Sequence, residues 1–415
     1  MPGLRPEVSV RAKRPASHVI GAVVVTIIGF WAGLSISEAW SADEPTPVAV
    51  EVEGTQLLAA APTSTTTPAP PTTTTTLPPL RSATLRFTGD TLAHRGVVAQ
   101  AARYASDSDA EYNFAPMFDL VRPYLSSADV AICHLETPLS IDNRQLSGYP
   151  TFNVPRELAD GLAAAGYDGC STASNHSLDR RAGGVDATLD VLDSAGLQHA
   201  GMARSAEERA SATLYDAAGI TVANLSYSYG FNGFSVPPDE PWRANIIDPA
   251  VVVADAAAAR EAGAEYVVVS LHWGTEYRHD PNDEQLAVAD ALTGRPEVDL
   301  IIGHHAHVVQ PIEKLDGTWV AFGLGNFLSN QSANCCAVGA QDGVIVGIEI
   351  SELRVDGTSS PSFSTTVDYI PTWVDRSDFT IVPIGDVIDD PDTEAGLAQV
   401  LAASQERTDS VIGLR

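Results

Sequence analysis

Three apolar runs organise residues 265–331: Tyr266-Val267-Val268-Val269-Ser270-Leu271, Val298-Asp299-Leu300-Ile301-Ile302 and Trp319-Val320-Ala321-Phe322. The first ends on His272-Trp273-Gly274-Thr275-Glu276-Tyr277, the second on Gly303-His304-His305-Ala306-His307, and the third on Gly323-Leu324-Gly325-Asn326-Phe327. Between the first two lies a helical pattern, with Asp280 as its expected cap, Pro281 in its first turn, and Leu286, Val288, Ala289 and Leu292 as its apolar face. Short apolar strands separated by a helix predict β-α-β connections and a parallel-type sheet covered on both faces, hence an α/β fold. Ligands of open α/β sheets sit beyond the carboxyl ends of the strands. Two of these ends carry histidines and the third a Gly-Asn pair, so chemistry is expected there.

Working outward, the same arrangement repeats upstream. A strand over 83–88 should break at Gly89-Asp90, and one over 130–133 leads into His134-Leu135-Glu136-Thr137-Pro138. A third, around 169–172, runs into Ala173-Ser174-Asn175-His176-Ser177-Leu178-Asp179. Helices are expected over 155–165, 184–195 and 250–262, and a strand over 220–225. Downstream, 343–350 and 365–370 pattern as strands and 393–404 as a last helix. Carboxylates, amides and imidazoles at strand ends form the donor set of a hydrolytic metal site, because carboxylates can bridge cations and neutral imidazoles fill the remaining positions. Each motif alone is weak, since a lone histidine at a strand end is more often an ordinary surface or core residue. His305-Ala306-His307 is a better signal, for an extended segment would put both imidazoles on one side. The candidate ligands are Asp90, Glu136, Asn175, His176, His272, His305 and His307, for a divalent cation such as Mn, Fe, Zn or Mg. Glu276 and His304 are the candidate proton carriers, and His279, in a polar loop, is expected to be inert.

The N-terminal part differs in kind. Residues 1–17 carry Arg5, Arg11, Lys13 and Arg14 against one acid, Glu7, and 19–36 run apolar. That length suits a tilted bilayer crossing over 18–38, and the flanking charges put the N-terminus in the cytoplasm. A cleaved signal peptide, with Ala39-Trp40-Ser41 as its site, is the competing reading. Either way the bulk of the chain is exported. Residues 39–80 are rich in Pro and Thr, cannot bury a core, and are expected to act as an extended spacer.

The formal net charge of −29 argues against nucleic acid as a partner. An acidic polymer would need a local cation to offset that field. Four cysteines are too few for a disulfide scaffold in 415 residues. Cys133 and Cys170 are expected as small buried hydrophobes, or as a bridge in an oxidising compartment. Cys335 and Cys336 are neighbours, which seldom bridge without strain.

The ordered motifs Gly89-Asp90, Leu135-Glu136-Thr137-Pro138, Ala173-Ser174-Asn175-His176, His272-Trp273-Gly274-Thr275-Glu276-Tyr277, Gly303-His304-His305-Ala306-His307-Val308 and Leu324-Gly325-Asn326-Phe327 closely resemble the CapA family of bacterial capsule-synthesis, or poly-γ-glutamate-associated, proteins. The resemblance covers a domain over 82–376 and leaves 377–415 as a C-terminal extension. It implies a two-sheet α/β/β/α sandwich like that of the calcineurin-like metallophosphoesterases, and a role in assembling, anchoring or releasing an anionic envelope polymer. The chain departs from the family pattern at His134, Ser174 and Ala306. Where metallophosphoesterases have Asp-x-His, it has Asp90-Thr91-Leu92, with His94 as a candidate replacement. Two readings stay open: a membrane-tethered metal-dependent hydrolase or transferase, and a non-catalytic protein that binds the polymer in the same groove.

Overall fold

The computed structural model describes residues 81–107, 109–353 and 361–414. The expected basic lead, membrane span and spacer lie outside the described residues. Among the described residues no helix is long and apolar enough to cross a membrane.

Fourteen strands among the described residues form two sheets. In the first, β1 (Ser82–Leu92), β2 (Val130–Leu135), β3 (Gly169–Ser171) and β4 (Gln198–Ala200) run parallel, side by side. The second holds β5 (Thr213–Ala217), β6 (Ile220–Ser228), β7 (Tyr266–His272), β8 (Leu300–His304), β9 (Ile312–Leu315) and β10 (Thr318–Ala321). Its order is β5-β6-β7-β8-β10-β9, parallel from β6 through β10, with antiparallel strands at both edges. The chain then returns to the first sheet with β11 (Asn326–Ser329), β12 (Asp342–Leu353), β13 (Ser362–Val374) and β14 (Ile381–Pro383). There the order is β14-β13-β12-β1-β2-β3-β4, and β11 lies beside the end of β1.

Side-chain alternation explains the layering. Leu85, Phe87, Ile132 and Val346 of the first sheet pack against Val222, Val268, Leu300 and Ile302 of the second. The alternate residues Val267, Val269, Leu271 and Ile301 face the other way, onto the helices Pro249–Glu261 and Asp283–Leu292. The outer face of the first sheet is covered by the helices Arg95–Tyr104, Glu157–Ala165 and Arg181–Ser194, through Val97, Leu158 and Leu189. Both faces of β7 are therefore buried, which is why its sequence is a continuous apolar run rather than an alternating one. Each such side chain contributes roughly 1.5–3 kcal/mol through burial.

Three local expectations are corrected. The helix after β7 is capped by Asn282, not Asp280. The Asn282 side chain accepts from the Gln285 N–H at 2.8 Å, while Gln285 Oε1 accepts from the Asn282 N–H at 3.0 Å. This reciprocal cap starts the helix later and turns Gln285 inward, where Nε2 donates to Gln310 Oε1 at 2.7 Å; Leu286 is left exposed. β1 does not break at Gly89-Asp90 but bulges there and continues. The reason is contact: a Cβ on Gly89 would lie 2.1 Å from the Gly325 carbonyl oxygen. Finally, the adjacent Cys335 and Cys336, expected to stay apart, are paired; Cys133 and Cys170 are buried register partners on β2 and β3 and are bridged, one of the two readings given for them.

Candidate metal centre

Register brings the site together. Asp90 of β1 lies opposite His134 of β2, which lies opposite Ser171 of β3; in the second sheet His272 lies opposite His304. The two sheets meet at these carboxyl ends. His134 Nε2 is 2.9 Å from His272 Nδ1, its Nδ1 is 2.8 Å from Ser171 Oγ, and its ring stacks on His304 with centroids 3.9 Å apart.

Asp90 is buried at the centre. The His305 N–H donates to its Oδ2 at 3.2 Å, His307 Nδ1 lies 3.0 Å from the same oxygen, and His304 Nδ1 stands 3.4 Å from Oδ1. Glu136 Oε1 is 3.8 Å from His307 Nε2. Three sets of donor atoms each fall within 4.8 Å of one another: Asp90, His134 and His304; Asp90, Glu136 and His307; Glu276, His305 and His307. Asp90 and His307 are each shared between two sets, as ligands of adjacent cations would be.

The electrostatics set out what each group can do. Burial works against ionisation of Asp90, yet the His304 and His307 imidazoles outweigh it and hold the carboxyl well below its usual range. Burial pushes Glu136 up to about 7 against the pull of His307, with the Asp90 charge adding to the rise. Burial disfavours the cationic form of His307 too, but Glu136 and Asp90 outweigh it and raise the group to about 9. His134 and His272 are driven well below their usual range, chiefly by burial, and His305 falls to about 3 by burial and the neighbouring His307. The latter three are neutral imidazoles, the form that binds metal, whereas His307 would give up its proton on binding a cation.

The donor set fits a divalent cation. Both Glu136 oxygens, His304 Nδ1 and His305 Nδ1 are buried without a hydrogen-bond partner. Buried polar groups are normally paired, and an unpaired buried carboxylate costs several kcal/mol or more. Carboxylate with imidazole suits Mn, Fe or Zn. Asp90, Glu136, His304, His305 and His307 are the residues placed to hold such an ion, while His134, with both ring nitrogens on protein partners, supports His304 and His272.

The other expected residues surround this cluster. Asn175 Oδ1 is 3.1 Å from His272 Nε2, so both ring nitrogens of His272 already have protein partners. His176 Nδ1 is 2.7 Å from Asp179 Oδ2, which fixes the ring edge-on to Phe152. Glu276 is exposed and, with His307, His176 and His94, lines a cavity of about 400 Å³; His304 is buried and is not part of that lining. His94 borders the cavity but belongs to none of the three donor sets, and its Nδ1 is 3.0 Å from the Leu92 carbonyl.

Two expectations about this region are corrected. The segment His305-Ala306-His307 is not extended. Its histidines have φ of +89° and +55°, in the left-handed region that ordinary residues avoid at a cost of about 1–2 kcal/mol each. The bend converges both imidazoles and is held by the His305 N–H on Asp90 and by the Tyr277 N–H on the Ala306 carbonyl at 2.7 Å. His279 is not free in its polar loop: its Nδ1 bonds the Val309 carbonyl at 2.8 Å, two residues beyond His307.

His134 and Asn326 were not among the expected ligands. Asn326 Oδ1 lies 3.1 Å from His307 Nδ1 and so helps to orient that ring. His134 carries a sequence signal: it is two residues before Glu136, and side chains at i and i+2 of a strand share a face.

Residues 84–331 match the family described as bacterial capsule synthesis protein PGA_cap. The chain belongs to this family. Every donor of the three sets falls inside the matched range. Relatives include the PGA biosynthesis protein CapA of Bacillus subtilis, 28% identical over 59% of this chain and 63% of the relative. The capsule biosynthesis protein CapA of Bacillus anthracis is 26% identical over 60% of each chain. The chain thus spans about three fifths of the length of these relatives. A probable polyglutamine synthesis accessory protein of Mycobacterium tuberculosis is 26% identical over 49% of this chain and 57% of its own. Among solved structures, the calcineurin-like phosphoesterase YfkN of Bacillus subtilis overlays 79% of this chain and 98% of its own, at 14% identity and a TM-score of 0.39.

Proposed function

We propose that this PGA_cap family protein is a metal-dependent hydrolase or transferase that acts outside the cytoplasm on an anionic envelope polymer of the poly-γ-glutamate type. In this reading the apolar span 18–38 tethers it to the membrane and the Pro/Thr-rich segment spaces the domain away. The observation that carries the reading is Glu136: fully buried, with neither oxygen hydrogen-bonded, beside Asp90 and His307. A divalent cation there would polarise the scissile carbonyl or phosphoryl group and supply hydroxide near neutral pH. The chain's own residues do the rest. Asn326 and Asp90 orient His307, Asp179 orients His176 towards the cavity, and Glu276, exposed at its mouth, carries the proton to or from the leaving group.

The test uses the purified full chain and poly-γ-glutamate, with chain length followed by size-exclusion chromatography. Shortening or transfer should stop on chelation and return with added Mn or Zn. Polymer that is bound but left intact under all metals would instead establish the non-catalytic binding role. A reporter fused after Arg415 should be active outside the cytoplasm and stay with membranes; a soluble form beginning near Ala42 would replace the tether with a cleaved signal.

A further inference from the structure

The chain has 53 acidic and 24 basic residues, and among the described residues ten of seventeen arginines pair with a carboxylate. Arg81, Arg86, Arg204, Arg243, Arg260 and Arg407 each sit against a carboxylate. Arg376 does not. It lies on the turn between β13 and β14, beyond the family match, and stands behind Asn330, which lines the cavity that Glu276 and His307 also line. Its Nη2 donates to Asn330 Oδ1 at 3.2 Å and its Nη1 to Ser332 Oγ at 2.9 Å, both neutral acceptors; Asn330 itself lines the cavity. Its Nε is buried with no partner. The nearest acids in sequence are turned to the backbone, Asp375 Oδ1 accepting from the Ser377 N–H and Asp378 Oδ1 from the Thr380 N–H. The first turn of the helix Arg95–Tyr104 lies beside Asn330 and contains no acid, which adds to the positive potential.

A charge taken partly out of water and held only by neutral acceptors is under-compensated. The planar guanidinium fork suits an oxyanion better than any other group. We propose that Arg376 is a positioning residue that binds an oxyanion of the ligand, carboxylate or phosphate, at the rim of the cavity and sets the polymer's register over the metal centre. This inference rests on the proposed function above, since it assigns the group that recognises the substrate's charge.

The experiment is calorimetric titration of the full chain, metal-loaded, with a γ-linked glutamate oligomer, its methyl ester and inorganic phosphate, repeated at two salt concentrations. Charge-assisted hydrogen bonds of this kind are worth roughly a tenfold change in affinity or more. Arg376→Gln should weaken the oligomer by about that factor, flatten its salt dependence, and leave the ester and the metal content unchanged. Arg376→Lys should recover part of the loss by keeping the charge. If Arg376→Gln weakens ester and oligomer alike, the residue is only structural and the proposal falls. Unchanged oligomer and phosphate affinities in Arg376→Gln, or no binding of either by the wild type, also overturn it. If the wild type binds phosphate but not the oligomer, and Arg376→Gln loses the phosphate, the oxyanion site stands while the glutamate-polymer reading fails.

Discussion

Replacing Gly89 with alanine tests how the backbone positions Asp90. The added Cβ would sit 2.1 Å from the Gly325 carbonyl oxygen and 2.9 Å from its carbon, so backbone rather than a flexible side chain stands in the way. A carbon–oxygen contact needs roughly 3.2 Å, so β1 and the 325 peptide must separate by about 1 Å. That movement stretches the bond from the Asp90 N–H to the Gly325 carbonyl, now 2.9 Å, and shifts the Asp90 carboxylate away from the His305 N–H. Overpacking of this kind costs about 1–3 kcal/mol, and the weakened hydrogen bond about 1 kcal/mol more. For a domain of this size the melting temperature should fall by roughly 5 °C or more. Metal affinity should fall with it, since misplacing a ligand's support typically costs about tenfold or more. Scanning calorimetry and metal titration of Gly89→Ala read both effects. An unchanged melting temperature would refute the packing argument; a lowered one with wild-type metal affinity would refute the link from Gly89 to the site.

Three further outcomes follow from the contacts. His134→Ala removes the imidazole that joins His272, Ser171 and His304, and metal affinity measured by competition with a chelating dye should fall about tenfold or more, with far-ultraviolet circular dichroism retained. Arg407→Ala leaves the buried Asp342 with Ser404 alone and loosens the helix Ala395–Ile412 from β12; because Arg407 is a third exposed, the loss in stability by urea unfolding should be only about 1–2 kcal/mol. His279→Ala should destabilise the domain by about 1 kcal/mol through the lost bond to Val309, so a neutral result in the same unfolding assay would argue that the loop is held by other contacts.

The strand ends at His272 and His304 are legible in sequence because apolar strands covered on both faces make long runs that histidine visibly interrupts. The pairing of Asp90 with His134 is not, because parallel register depends on a bulge at Gly89 that no local pattern announces. His134 is hidden for a second reason: buried strand-end histidines look like core residues until a partner from the other sheet is known, here His272. The bend at His305 and His307 is equally unreadable, since positive φ at histidine runs against local preference and is imposed by Asp90 and Tyr277 from distant segments. Arg376 carries no motif, and only the folded chain brings it to Asn330.

The central claim is that Asp90, Glu136 and His307 close around a cation. Elemental analysis of the purified full chain, set beside the His305→Ala/His307→Ala double variant, tests it most directly. The account predicts at least about one equivalent of a divalent metal in the wild type, and an affinity lowered by roughly tenfold to a hundredfold or more in the variant, with the fold retained. A wild type that stays metal-free after incubation with Mn, Fe and Zn, or a double variant that keeps its full metal content, would contradict it.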